Sequence, residues 1–276
     1  MGRRHKLLIL TVTLLFGGIL TTAKRPAPDP FINAKVQPYA VNFSGEPKFS
    51  SQFHFNHLNR GNIYDYYDGS GVTVAIIDSG INVDHEDFWT DNLQTNITST
   101  SAYIEERGDY YSNIVIQTVA QKGINIIDDE DGHGTAVAGT VGALINGVGT
   151  AGVSPGVNLM VLKTQLYFSE IDRAIRYAAD NGAHIINMSL GAYETTFIDG
   201  YGDEQEGIPG ASTYFQNAVN YAYNKGVTLI AAAGNEKTSE RSYPASNNNV
   251  IGVGALSRNS SSSMADFQIM AHITLP

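Results

Sequence analysis

From residue 72 onward the chain alternates short, continuous apolar runs with longer segments whose apolar residues recur at helical spacing, and few folds accommodate that order. Residues 72–77 are almost wholly β-branched and apolar, the composition of a strand buried on both faces. Ser169 reads as a helix start, with Asp172 three residues on as its capping partner. Ile171, Ala174, Ile175 and Ala178 then mark one helical face, and Gly182 ends the helix in the left-handed conformation. Residues 185–188 form the next strand. Ser212 opens a second helix with Phe215, Ala218, Val219 and Ala222 on one face and Gly226 at its end, and residues 227–233 and 250–256 read as further strands. Strands joined by helices of this length need right-handed crossovers. The expected class is therefore α/β, a mostly parallel sheet with helices on both faces.

Composition narrows the chemistry. Hydrophobic residues make up 42% and charged residues 16% of 276 residues, enough apolar material for a real core. The absence of cysteine excludes disulfides, thiol catalysis and Cys-based zinc sites. A net charge of −10 argues against nucleic acid as a partner, since phosphate binding needs a basic face. At the start, Arg3, Arg4 and Lys6 precede an apolar run over residues 7–20, and Thr21, Thr22 and Ala23 supply small residues for cleavage. That order is expected of a secretory signal peptide over residues 1–23. The run is short beside the roughly 20 residues a spanning helix needs, so no stable membrane insertion is expected after cleavage and the protein is expected outside the cell. Residues 24–50 carry five of the nine prolines and are expected as linker or remnant propeptide.

Three short segments carry candidate chemistry. Asp78, in Asp78-Ser79-Gly80, places a carboxylate where a buried strand ends, the edge at which open α/β sheets gather ligands. His133 lies between Gly132 and Gly134 at the start of a small-residue helix, an uncrowded setting for proton transfer. Asn235 follows the small-residue strand Ala231-Ala232-Ala233-Gly234, where its amide can donate to a developing oxyanion. Taken singly, the first and third also read as ordinary turns and the second as a structural or exposed histidine.

In this order, and with Asn187-Met188-Ser189-Leu190-Gly191 between the last two, the segments resemble the subtilases, the subtilisin-like serine proteases, over about residues 60–267. The resemblance implies roles. His133 is the general base and then the acid, Asp78 orients its ring, and Asn235 steadies the oxyanion. It also implies that Ser189, Leu190 and Gly191 pair with an extended polypeptide substrate through main-chain bonds. A structural Ca²⁺ site is implied at Asp87, in His85-Glu86-Asp87-Phe88, together with Leu144, Asn146, Val148 and Thr150 of a Gly-rich loop, oxygen donors that suit a hard cation. No catalytic cofactor is expected. The interval between Asp78 and His133 is long for the family, so residues 90–128 are expected as an extra surface loop. The acidic run Asp128, Asp129, Glu130, Asp131 reads either as a solvated turn or as a subsite for basic residues.

The resemblance breaks near the end. The family's nucleophile sits in a Gly-Thr-Ser-Met-Ala segment, and no such segment follows Asn235. Ser263, in Ser262-Ser263-Met264-Ala265, lies where the family has a loop and is rejected as the nucleophile. Residues 51–276 are thus expected as an incomplete catalytic domain of a secreted serine endopeptidase, inactive as it stands. The alternative is a non-catalytic pseudoprotease that binds extended peptides or partner proteins.

Overall fold

A computed structural model of the chain describes residues 8–9, 43–57, 67–107 and 113–256. In chain order its strands and α-helices are β1 (Leu8–Ile9), α1 (His54–His57), β2 (Thr73–Asp78), β3 (Ala102–Glu106), β4 (Ile114–Thr118), α2 (Val119–Lys122), α3 (His133–Gly142), β5 (Asn158–Lys163), α4 (Phe168–Asp180), β6 (Ile185–Met188), β7 (Leu190–Tyr193), β8 (Phe197–Ile198), β9 (Glu204–Gln205), α5 (Ala211–Asn224), β10 (Thr228–Ala232), β11 (Ser242–Tyr243) and β12 (Val250–Val253). Seven strands form one sheet in the order β12-β10-β6-β2-β5-β3-β4. Every neighbouring pair in it is parallel except β3 with β4.

The expected class holds, and strand β2 shows why. Its alternate side chains enter two cores: Ala75 and Ile77 pack with Ile171, Ile175, Phe215 and Val219 of α4 and α5. Val74 and Ile76 pack with Val137, Ala138 and Val141 of α3. A strand between two helical layers has no solvent face, so its sequence is apolar without alternation. Gly182 and Gly226 end α4 and α5 with positive φ as expected, at +83° and +86°.

The helix starts differ from the sequence expectation. Helix α4 begins at Phe168, and Glu170 supplies its capping carboxylate by accepting the Tyr167 N–H at 3.3 Å and the Gln165 N–H at 2.7 Å. The same carboxylate takes the Glu106 N–H at 2.8 Å, so one buried side chain ties β3 to the helix start. Burial pushes the Glu170 carboxyl above its usual range, and the three N–H donors oppose that rise. Ser169 donates instead to Glu106, and Asp172 pairs with Arg176 one turn on at 2.9 Å. Helix α5 starts at Ala211 after Gly210, with the Ser212 hydroxyl donating to Glu194. Residues 90–128 are no surface loop: they supply the β3–β4 hairpin and α2 and extend the sheet by two strands. Strand β5, unmarked in the sequence reading, lies beside β2, with Leu159, Met160, Val161 and Leu162 fully buried.

Part of the stretch expected as linker is packed. Phe43, Phe49 and Phe55 form an aromatic cluster with ring centroids 4.8–5.2 Å apart, seated on Ala151 and Val153. The Gln52 amide donates to the Ala151 carbonyl at 2.8 Å and accepts the Ala151 N–H at 2.9 Å. The His54 ring lies tilted against Phe55 at 4.5 Å, and among the described residues its buried Nε2 has no partner.

Burial holds the His54 pKa below its ordinary value. A histidine with a depressed folded pKa contributes stability above its unfolded pKa of about 6.5, and that contribution is lost as pH falls, because the unfolded chain binds the proton more readily. Urea unfolding should therefore show stability falling from pH 7 to pH 5. In His54→Leu that fall should be shallower, and equal slopes in both proteins would contradict the assignment.

Candidate active site

Strand β2 ends at Asp78, whose side chain is buried at 2% exposure. Gly80 follows with φ +125°, and its backbone meets Gly134 in the first turn of α3. A Cβ on Gly134 would lie 2.2 Å from the Gly80 carbonyl oxygen, so only glycine allows this approach. The Ser79 hydroxyl bridges the join, accepting the Gly134 N–H at 2.9 Å and reaching Asp78 Oδ1 at 3.3 Å. Gly132, in the left-handed conformation, brings the chain into the helix.

That docking places His133 Nδ1 2.8 Å from Asp78 Oδ1, with the ring 8% exposed. Asp78 Oδ1 also accepts the Ser79 N–H at 2.8 Å, while Oδ2 is buried and takes no bond among the described residues. With Nδ1–H donated to the carboxylate, Nε2 carries the lone pair of the neutral ring. In the acidic run beside it, Asp129 and Asp128 bond to main-chain N–H groups, while Glu130 is exposed. Asp129 accepts the Thr135 N–H at 2.9 Å and its hydroxyl at 2.5 Å, and Asp128 accepts the Val83 N–H at 3.3 Å. Partial burial acts to raise the Asp129 pKa, but the bonds from Thr135, Gly132 and Asp131 outweigh it and leave the carboxyl below its usual range. A carboxylate at this helix N-terminus also suits the helix dipole. Asp129 thus holds the helix start, and Asp128 the loop after β2.

Asn235 and Ser189 belong to the same edge of the sheet. Strands β2, β6 and β10 are adjacent and parallel, so Asp78, Ser189 and Asn235 follow three neighbouring carboxyl ends. Gly234, at φ +113°, turns the chain out of β10. Asn235 donates its N–H to Glu236 Oε2 at 2.7 Å, and its own Oδ1 is buried without a partner among the described residues. Ser189 is 2% exposed and its hydroxyl accepts from Asn187 Nδ2 at 3.2 Å. Beyond it, Leu190 and Gly191 lie in β7, which pairs antiparallel with β11 and also with β1. In this structure Leu8 and Ile9, from the stretch expected as signal peptide, occupy the edge expected to take substrate.

Away from this edge, Asp87 is 3% exposed and bonds Thr150 twice, through the N–H at 3.1 Å and the hydroxyl at 2.6 Å. Asn146 Nδ2 donates to the Glu86 and Trp89 carbonyls, each at 2.8 Å, and Leu144 donates its N–H to the Asp87 carbonyl at 2.8 Å. Gly149 passes so close that a Cβ there would lie 1.6 Å from Asp87 Oδ1. Asp87 and Asn146 are side-chain oxygen donors of the kind calcium takes, while the bonds Asp87 makes here come from the Thr150 N–H and hydroxyl. Val148 is in the same loop, its N–H 3.3 Å from Asn146 Oδ1.

The sequence reading passed over Tyr193, Gln52 and Glu236. Glu236 was findable as the residue after Asn235, whereas Gln52 gains its role only through a long-range loop contact. Ser263 lies outside the described residues.

The sequence pattern of the subtilase family matches residues 69–270. Subtilisin DY of Bacillus licheniformis is 33% identical over 219 residues, 74% of this chain and 65% of that protein. Subtilisin BL of Lederbergia lenta is 33% identical over 196 residues, 69% of this chain and 58% of its own length. The chain thus spans less than two thirds of either relative. Among solved structures, the epidermin leader peptide processing serine protease of Staphylococcus aureus superposes with a TM-score of 0.59 at 24% identity, covering 83% of this chain and 56% of that one. The S41 psychrophilic protease gives 0.53 at 31% identity, covering 74% and 60%.

The Gly80–Gly134 approach makes a testable demand. Gly134→Ala should cost about 1–3 kcal/mol or more, the range for forcing a methyl into filled space. Urea denaturation measures it, and a loss below a few tenths would show that the join has slack.

Proposed function

Since this chain belongs to the subtilase family of serine peptidases, we propose that its Asp78, His133, Asn235 constellation is the acid–base and oxyanion part of a secreted serine endopeptidase. The observation that carries the reading is the 2.8 Å contact between His133 Nδ1 and a buried Asp78 at the carboxyl edge of the sheet. In peptide hydrolysis His133 Nε2 takes the proton of an attacking hydroxyl and returns it to the leaving amine, while Asp78 holds the ring and stabilises the imidazolium. The Asn235 amide faces the oxyanion that forms meanwhile. The substrate is an extended polypeptide laid against Leu190 and Gly191 by main-chain hydrogen bonds, as β1 lies there now.

The proposal assigns the nucleophile to none of the 276 residues, because the family's Gly-Thr-Ser-Met-Ala segment does not occur among them. Losing the nucleophile of such a triad costs about 10⁶ in turnover. The chain alone should hydrolyse no peptide anilide and take no fluorophosphonate label. Labelling at Ser263 would overturn that assignment.

Calcium, in this reading, has a structural role. Asp87 and Asn146 hold it with main-chain oxygens of Leu144, Val148 and Thr150, and it supplies charge to fasten the loop on which the aromatic cluster sits. Millimolar calcium should raise the thermal midpoint of the wild-type chain, and Asp87→Asn should lose most of that rise. The same rise in both proteins would place the ion elsewhere.

The proposed location is extracellular, supported by the charged, apolar and small-residue order of residues 1–23. No helix among the described residues is long and apolar enough to cross a membrane.

A further inference from the structure

Strand β4 ends the seven-stranded sheet, and among the described residues it pairs with β3 alone. The Arg107 N–H donates to the Asn113 carbonyl at 2.9 Å and the Val119 N–H to the Ser101 carbonyl at 2.8 Å, which sets the alternation of this antiparallel ladder. Asn113, Val115, Gln117 and Val119 therefore turn their main-chain groups toward β3, and Ile114, Ile116 and Thr118 turn theirs outward. Gln121 Oε1 already takes the Thr118 N–H at 3.3 Å, in the capping box that starts α2. Ile114 and Ile116 are left, each with an N–H and a C=O on the open edge.

Nothing in β4 guards that edge. Exposed edge strands are blunted by a charge, a proline or a bulge, because an unpaired ladder recruits another strand. β4 reads Ile-Val-Ile-Gln-Thr, half-buried along its whole length, and keeps one-to-one register with β3 throughout. The charges beside it are engaged, Glu105 with Arg107 at 2.7 Å and Glu106 with the Ser169 hydroxyl. β4 thus adds no like charge to a contact between two chains that each carry −10.

The free groups also specify the partner. Ile114 and Ile116 flank Val115, so the strand is its own complement when turned antiparallel about that residue. Ile114 then lies opposite the partner's Ile116, and Ile116 opposite the partner's Ile114, each pair exchanging main-chain bonds in both directions. Val115 meets the partner's Val115 on the axis as a non-hydrogen-bonded pair, where side chains approach most closely. A register centred on Gln117 would need the Thr118 N–H that Gln121 holds.

We propose that two copies of this chain join through β4, antiparallel about a two-fold axis at Val115, into one continuous sheet. Strands β3, β5 and β2 are mutually parallel, so the axis points one sheet opposite to the other. The two Asp78–His133 pairs then lie on opposite edges of the joint sheet. A strand of five residues makes a small contact beside the roughly 1,200–2,000 Å² of a standard interface, so the dimer exchanges with monomer as concentration changes. This contact stands apart from the peptidase reading.

Sedimentation of the full chain over a concentration series should show its mass rising from monomer toward dimer. Ile116→Pro removes an outward N–H that β3 does not use, and it should weaken association by about tenfold or more while the β3–β4 hairpin remains. The chain has no cysteine, so single thiols report the register directly. Under mild oxidation Val115→Cys should form a disulfide-linked dimer. Gln117→Cys should not, because its counterpart lies four residues along the partner strand, roughly 13 Å away. A chain that stays monomeric, or that associates without cross-linking at residue 115, overturns the inference. Cross-linking at residue 117 to the same extent also overturns it, as does association that Ile116→Pro leaves undiminished, which would assign the contact to another surface.

Discussion

The site depends on one steric constraint, the meeting of two backbones at Gly80 and Gly134. Strand β2 ends and helix α3 begins with no side chain between them, because a Cβ on Gly134 would overlap the Gly80 carbonyl. Ser79 occupies the remaining space with a hydroxyl that serves both sides. Only this closeness brings a strand-end carboxylate and the first ring of a helix to hydrogen-bond distance. Asp129 reinforces the join from the solvent side by holding Thr135. The Asp78–His133 contact is therefore a product of packing, with Asp129 as its brace.

The rest of the site follows from parallel strands. Parallel neighbours end on one edge of the sheet, and the order β10-β6-β2 makes the ends near Asn235, Ser189 and Asp78 neighbours. Strand β7 leaves this sheet and pairs with β11, which leaves its other side open to a further strand; β1 takes it here. The open β7 edge, the Asn235 turn and the histidine thus come from separate elements. One sheet direction aligns them.

Much of this was legible in the sequence because it depends on local chemistry. The apolar run of β2, the stripe of α4 and the glycines around His133 each report a local environment, and the structure places them as read. Helix caps were misread where a distant partner decided the matter: Ser169 turned to Glu106 and Ser212 to Glu194, so Tyr167 and Gly210 are the caps. Strand β5 carries the same continuous apolar run as β2, and the reading passed it by. The β3–β4 hairpin was hidden for a different reason, since an added edge is defined by its pairing. Gln52 and the aromatic cluster hold the loop at residues 144–151 from about a hundred positions away, a relation that no short-range pattern carries.

The central claim is that Asp78 and His133 form a preassembled acid–base pair, and the proton between them reports on it directly. A proton spectrum of the folded chain, with its histidine ring nitrogens labelled, should show a low-field signal from His133 Nδ1–H. That signal should persist without any substrate and vanish in Asp78→Asn, as the carboxylate that accepts it is replaced by an amide. A well-folded chain with no such signal, or one whose signal survives Asp78→Asn, would contradict the account.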